Sequence, residues 1–311
     1  MKLGFYDCGV SRAEPVAQED AEIFLQTLAN GGFAGMDYMA KNVDKRLDPT
    51  LLMPGAKAII SVALNYTPAQ RIPQDQYQIA TYAYGRDYHD VMKQRLYLLA
   101  ARLELQNFRV FCDTAPILER YWAAKAGIGW IGKNHQLIVP GVGSRVFLGE
   151  IITTESLPQP LQGGEKSYQS LPLGGARRGL SQANKPREVC MNCGACLRAC
   201  PLKAINETVI FDASKCLSYQ TIENRGDIPS EVSALMADCF YGCDRCIDAC
   251  PYNKNATPTT IPELQPTPKL LLMTKEDWHN LTEEQYHELF KGSAVKRAKY
   301  TGLTRNINKM K

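Results

Sequence analysis

Nine of the eleven cysteines in this 311-residue chain lie between Cys190 and Cys250. Cys190, Cys193, Cys196 and Cys200, with Pro201 directly after, follow the spacing C-x2-C-x2-C-x3-C-P. Thiolates so placed suit an iron–sulfur cubane: three on a tight turn grip three irons, and the fourth, on the helix that follows, reaches a second cluster. Zinc also takes four thiolates, but this spacing with its trailing proline favours iron–sulfur. Cys243, Cys246 and Cys250 before Pro251 repeat the end of the motif, with Phe240 where its first cysteine belongs. A crossed arrangement gives Cys190, Cys193, Cys196 and Cys250 to one cluster. The other takes Cys200, Cys243, Cys246 and either Cys216 or Cys239; the one left over is a buried thiol.

Two clusters make a short electron wire, so bond chemistry must sit elsewhere, in residues 1–155. Generic motifs are poor there. No G-x-x-x-x-G-K-[ST] phosphate loop occurs, and Gly127, Gly129 and Gly132 follow an expected helix rather than a strand. That context argues for a tight turn and against a dinucleotide fingerprint. The charge balance, 36 − 32 = +4, permits a nucleic-acid partner without demanding one. Apolar residues at 45% and charged residues at 22% exclude wholesale disorder. No apolar run reaches the roughly 18–20 residues of a membrane span. Met1 to Gly4 lack a signal-peptide pattern and the cysteine count is odd, so a cytoplasmic protein without a disulfide framework is expected.

The elements that must position this chemistry are partly visible. Apolar, partly β-branched runs predict strands at 58–64, 109–112, 136–139 and 145–153. Val91, Arg95, Leu98 and Leu99 have helical spacing, predicting a helix over 87–105. A second helix is expected from near Pro116, capped by Asp113 or Thr114 and ended by Gly127. Residues 156–188, rich in Pro, Gly, Ser and Gln, read as a linker or insertion. Residues 189–255 form the cysteine module. Residues 256–311 open on a Pro/Thr-rich stretch and read as a helical segment with a basic tail. Lys291 to Lys311 hold seven Lys/Arg and no Asp or Glu.

Together these residues resemble the epoxyqueuosine reductase family, cobalamin- and iron–sulfur-dependent enzymes of tRNA modification. The likeness runs through Lys45–Pro49, Leu52–Lys57, Tyr84–His89, Asp113–Arg120, Ala126–Lys133 and Phe147–Glu150. It continues through both cysteine groups, Cys216–Gly226, Gly292–Arg297 and Arg305–Asn306. The resemblance implies an α+β fold. Its 1–155 part would be a nitroreductase-like cobalamin-binding domain, also similar to that of reductive dehalogenases. A bacterial-ferredoxin-like domain with two 4Fe–4S clusters would follow. The family likeness also implies Cys216 as the isolated cluster ligand, Asp113 as the proton donor, and cobalamin contacts at Arg46, Asp113, Leu137, Leu148 and Ser218. Three features depart from the family pattern. The N-terminus is short, the 155–188 link is long, and the chain stops at Lys311 without a C-terminal helical-repeat domain.

Each assignment has a plainer rival. Asp113 would serve well as a helix N-cap, and a carboxyl that donates a proton near neutrality needs desolvation to raise its pKa. Arg46 could be a solvated charge. His89 lacks the D-x-H-x-x-G setting of a cobalt ligand, because Met92 takes the last position. Asp87, Tyr88 and His89 are therefore expected to orient substrate or fix the start of a helix. The basic tail suits tRNA phosphates, or is a frayed, solvated end.

The implied activity is reduction of epoxyqueuosine to queuosine at the wobble position of tRNA, by a monomer fed from an external electron donor. A reductive-dehalogenase-like enzyme on small molecules and a non-catalytic electron-transfer module are the competing classes. Dependence on tRNA separates the first, and cobalamin content the second.

Overall fold

The computed structural model describes residues 3–157, 190, 193–206 and 211–310. Its strands are β1 (Asp7–Arg12), β2 (Ala58–Asn65), β3 (Gln78–Ile79), β4 (Phe108–Phe111), β5 (Trp130–Ile131), β6 (Leu137–Ile138), β7 (Val146–Thr153) and β8 (Cys239–Tyr241). Four of them form an antiparallel sheet in the order β1-β2-β7-β4. Helices α1 (Gln18–Ala29) and α2 (Val43–Leu47) lie between β1 and β2 in the chain.

The sheet is covered on both faces, which is why β2 is buried along its whole length and reads as a nearly continuous apolar run. Alternate side chains point to opposite faces. Ile60, Val62 and Ile151 pack with Val91, Met92, Leu96 and Leu99 of α3 (Tyr88–Arg102). Ile59, Ile152 and Phe111 pack with Trp122 of α4 (Glu119–Lys125). A Cβ at Gly9 would lie 2.1 Å from the Ala126 carbonyl oxygen, so only glycine lets the end of α4 sit directly on β1.

The expected strands are present with shifted ends, except that 136–139 contracts to β6, where the chain turns back and Val139 bridges Gly143. The expected 87–105 helix is α3, and Asp87 caps it by accepting the His89 N–H. The helix placed near Pro116 begins only at Glu119. Neither Asp113 nor Thr114 caps it; Leu118 holds the cap position without a side-chain bond. Asp113 is held instead by contacts to α3. The turn at Gly127–Gly132 is as tight as its glycines suggest: a Cβ on Gly129 would stand 2.2 Å from the Ile138 oxygen.

A second core crosses the expected boundary at residue 155. Ile72, Tyr77, Ile79 and Tyr84 join Leu217, Phe240, Trp278, Tyr286, Val295 and Leu303, and β3 pairs in parallel with β8. The 1–155 unit is therefore not closed on itself, since segment 72–84 packs with the cluster domain and the C-terminal helices. Those helices include Lys275–His279 and Glu283–Leu289, each opened by a capping box, and Lys299–Asn308. Fully buried Asn306 donates to the carbonyls of Thr221 and Phe240, so the basic segment is docked, not frayed. The linker expected at 156–188 falls, from residue 158 on, outside the described residues. Among the described residues no helix is long and apolar enough to cross a membrane.

Candidate active site

Asp113 follows β4 on a three-residue turn, closed by the Thr114 N–H on the Cys112 carbonyl at 2.6 Å. Its φ of +58° is left-handed, a conformation that Asp adopts more readily than most residues but that needs support from its surroundings. The Asp113 N–H donates to Glu119 Oε1 at 2.5 Å. On the side-chain end, Oδ2 accepts from the Tyr88 hydroxyl at 2.6 Å and lies 3.4 Å from His89 Nε2.

His89 bridges two carboxylates, because its Nδ1 lies 2.6 Å from Asp87 Oδ1. Both ring nitrogens donate only when the imidazole is protonated. Burial opposes that charge, but the bonds to Asp113 and Asp87 outweigh it and push the His89 pKa up to about 9. The hydrogen bond from His89 in turn holds the Asp113 carboxyl below its ordinary range, with help from Tyr88. Burial, then Asp113, keep Tyr88 a neutral phenol. The Tyr88 ring stacks between His89 at 4.1 Å and Phe147 at 4.3 Å. Asp113 is thus a carboxylate fixed on one side by a phenol and an imidazolium, with 59% of its side-chain surface still open.

Arg46 of α2 is 7% exposed; its Nη2 donates to the Tyr38 carbonyl at 3.3 Å, and its Nε has no partner among the described residues. Tyr38 stands in the electrostatic reach of Arg46, Asp113, Glu223 and Arg297 alike, which places the Arg46 and Asp113 segments around one region. Ser218 lies on the helix Leu217–Ile222, where the Tyr219 hydroxyl accepts the Gly35 N–H at 2.9 Å and ties that helix to the loop before Tyr38. Leu137 on β6 is buried, and half-buried Leu148 on β7 packs against the same small cluster. Leu137 and Leu148 thus share one small apolar cluster.

The cysteines gather in two quartets. Cys190, Cys193, Cys196 and Cys250 line one cavity with Lys133, Asn134 and Tyr252. Cys200, Cys216, Cys243 and Cys246 interact electrostatically with one another. Cys239 is near Cys243 but donates its thiol to the Gly242 carbonyl at 3.0 Å. Each quartet draws on both motifs, whose helices Ala195–Ala199 and Arg245–Asp248 pack together. No three such side chains among the described residues converge as a single metal ion needs; a cubane takes one thiolate per iron, so its ligands stand apart. Burial raises the thiol pKa values of Cys196, Cys216, Cys243, Cys246 and Cys250, that of Cys243 to about 11. Thiolates here require an adjacent positive charge, which iron provides.

The basic tail is largely spoken for by the protein itself. Lys296 pairs with Asp87 at 2.9 Å, Arg297 binds Glu223 through two nitrogens, Lys309 pairs with Asp227, and Arg305 donates to carbonyls of Gln220 and Asn224.

Sequence reasoning assigned no role to Tyr38, Glu119 or Glu150. Glu150 carried a signal nonetheless: an acidic residue inside the apolar run of β7, at a position 0% exposed.

Comparison with known proteins agrees with this layout. The family model described as "Epoxyqueuosine reductase QueG, DUF1730" matches residues 46–114, and a "4Fe-4S double cluster binding domain" matches residues 189–253. The epoxyqueuosine reductase of Cellulophaga algicola is 38% identical over 321 aligned residues, covering 100% of this chain and 95% of its own. That of Leadbetterella byssophila is 41% identical, covering 98% and 94%. A crystal structure of epoxyqueuosine reductase with an epoxyqueuosine-modified stem loop of tRNA-Tyr superposes with a TM-score of 0.80 at 25% identity, over 98% of this chain and 76% of that one. The structure from Streptococcus thermophilus gives 0.80 at 27% identity, over 98% and 76%. With its α+β core, paired cysteine quartets and full-length relatives, this chain belongs to the epoxyqueuosine reductase family.

Proposed function

We propose that this protein reduces epoxyqueuosine to queuosine at the wobble position of tRNA, with Asp113 as general acid, cobalamin beside it, and two 4Fe–4S clusters as the electron path from an external donor. The reaction takes up two electrons and two protons, turns the epoxide into an alkene and releases water. Membership of the family along the whole chain sets aside the dehalogenase-like and purely electron-transferring alternatives.

The residues present fit the groups this reading requires. A buried guanidinium with an unused N–H at Arg46 suits an acceptor-rich ligand, as cobalamin's amides and phosphate are. Two all-cysteine quartets suit two cubanes. When bound, cobalamin supplies electron delivery at cobalt and the clusters supply electrons singly.

The observation that carries the reading is the Asp87–His89–Asp113 chain with Tyr88 on the same oxygen. At rest Asp113 is ionised, so the proton it passes to the substrate oxygen is drawn from the adjacent imidazolium. Both contacts use Oδ2, so the imidazolium proton arrives on that oxygen, and it is Oδ2 that passes it to the substrate oxygen, leaving His89 neutral. Protonation turns an alkoxide leaving group into a hydroxyl. The target nucleoside must leave its stack to reach such a site.

The test is anaerobic turnover of an epoxyqueuosine-containing anticodon stem loop, read by nucleoside mass spectrometry. Cobalamin-dependent formation of queuosine is expected. No conversion by protein loaded with iron, sulfide and cobalamin would overturn the proposal.

A further inference from the structure

Behind the Asp113 turn lie two carboxyl groups that the proposed chemistry does not use. Glu150 sits in the middle of β7, opposite Ser61 of β2 and Phe111 of β4, and is 0% exposed. Neither of its carboxyl oxygens, nor the Ser61 hydroxyl, finds a donor or acceptor of the ordinary kind among the described residues. The Glu119 carboxyl, in the first turn of α4, stands within hydrogen-bonding reach of it, and the Asp113 charge also acts on it. Glu119 Oε1 is the atom that accepts the Asp113 N–H.

Two ionised carboxylates are acceptors only and repel; they come together when one holds a proton and donates it to the other. The groups facing the pair are Asp113, Arg120 on α4, Cys112 just after β4 and Tyr88 on α3. Only Arg120 among them is cationic, and it is exposed. None of these four groups is a buried cation that could neutralise a second negative charge.

We propose that Glu119 and Glu150 share one proton, and that this pair, Glu150 buried and Glu119 half-buried, is the latch that positions Asp113. With the proton in place, Glu150 donates to Glu119, whose other oxygen holds the Asp113 N–H and fixes the left-handed turn. Loss of the proton drives the two charges apart and releases the turn. The role is positioning, and its effect on turnover rests on the reading of Asp113 as the acid. Burial, the largest influence on both groups, raises the pKa of each carboxyl, which agrees with a proton retained at neutral pH.

The test uses the cluster- and cobalamin-loaded protein at pH 8. Wild type is expected to show the infrared C=O band of a protonated carboxylic acid, shifted in D2O and absent in Glu150→Gln. Amide hydrogen exchange at Asp113 should be at least about tenfold faster in Glu119→Ala, the order of a lost bond to a charged acceptor. It should return toward wild type in Glu119→Gln, which keeps an acceptor oxygen. Exchange that quickens while turnover holds would keep the latch and remove the acid role of Asp113. Absence of the carboxyl band in wild type, or unchanged Asp113 exchange in folded Glu119→Ala, would overturn the latch.

Discussion

Lys296 Nζ lies 2.9 Å from Asp87 Oδ2, so the C-terminal segment touches the residue that caps α3 and orients His89. The Asp87 N–H also donates to the Gly292 carbonyl at 2.6 Å. One carboxylate thus joins the tail, the helix start and the imidazole facing Asp113.

Asp87→Asn tests that junction. Asparagine caps as well as aspartate, so α3 should survive. The imidazolium, however, loses one of the charges that raise its pKa to about 9. The group is protonated below that value and neutral above it, so a lower pKa moves the alkaline limb of turnover to lower pH, by roughly one unit or more. A pH–rate profile reads the shift. An unmoved limb would mean that His89 does not supply the proton.

The two candidate cluster ligands also separate cleanly. Cys216→Ser should reduce iron from about eight to about four per chain and stop electron delivery. Cys239→Ser removes only a thiol bonded to the Gly242 carbonyl and should leave iron nearly unchanged. Iron assay and EPR of the reconstituted variants decide, and the reverse pattern would exchange the two assignments.

For tRNA binding, pairing within the tail changes which cations matter. Lys296 and Arg297 already face Asp87 and Glu223, whereas Lys291 and Lys299 are exposed. Neutralising Lys291 and Lys299 together should flatten the dependence of log affinity on log salt by roughly 1.4–1.8, as two lost phosphate contacts do. Arg297→Ala should change the slope little. Binding measured across a salt series checks both, and a slope that falls only with Arg297 would contradict the pairing.

What the sequence disclosed followed the range of the interaction. The cysteine spacing is local and reads directly. Only the pairing of Cys200 with Cys243 and Cys246, and of Cys250 with the first group, needed knowledge of how such motifs cross. Strand β2 and helix α3 show through their apolar patterns. Helix α1 buries only Phe24 and Thr27, and β1 is a short mixed run, so neither has a strong period to detect. Asp113 has the look of a helix cap in sequence; tertiary bonds to Tyr88 and His89 turn it elsewhere and move the helix start to Glu119. Contacts such as Lys296 with Asp87 join distant segments, and no local pattern announces them.

Asp113→Asn bears most directly on the central claim. Asparagine keeps the size and a hydrogen-bonding oxygen of aspartate but cannot relay the proton held by His89. The account predicts that the variant retains both clusters, cobalamin and tRNA binding while turnover of epoxyqueuosine-containing tRNA falls roughly 10²–10⁴-fold, the range for a positioned acid. Near-wild-type conversion by Asp113→Asn with its cofactors in place would contradict it.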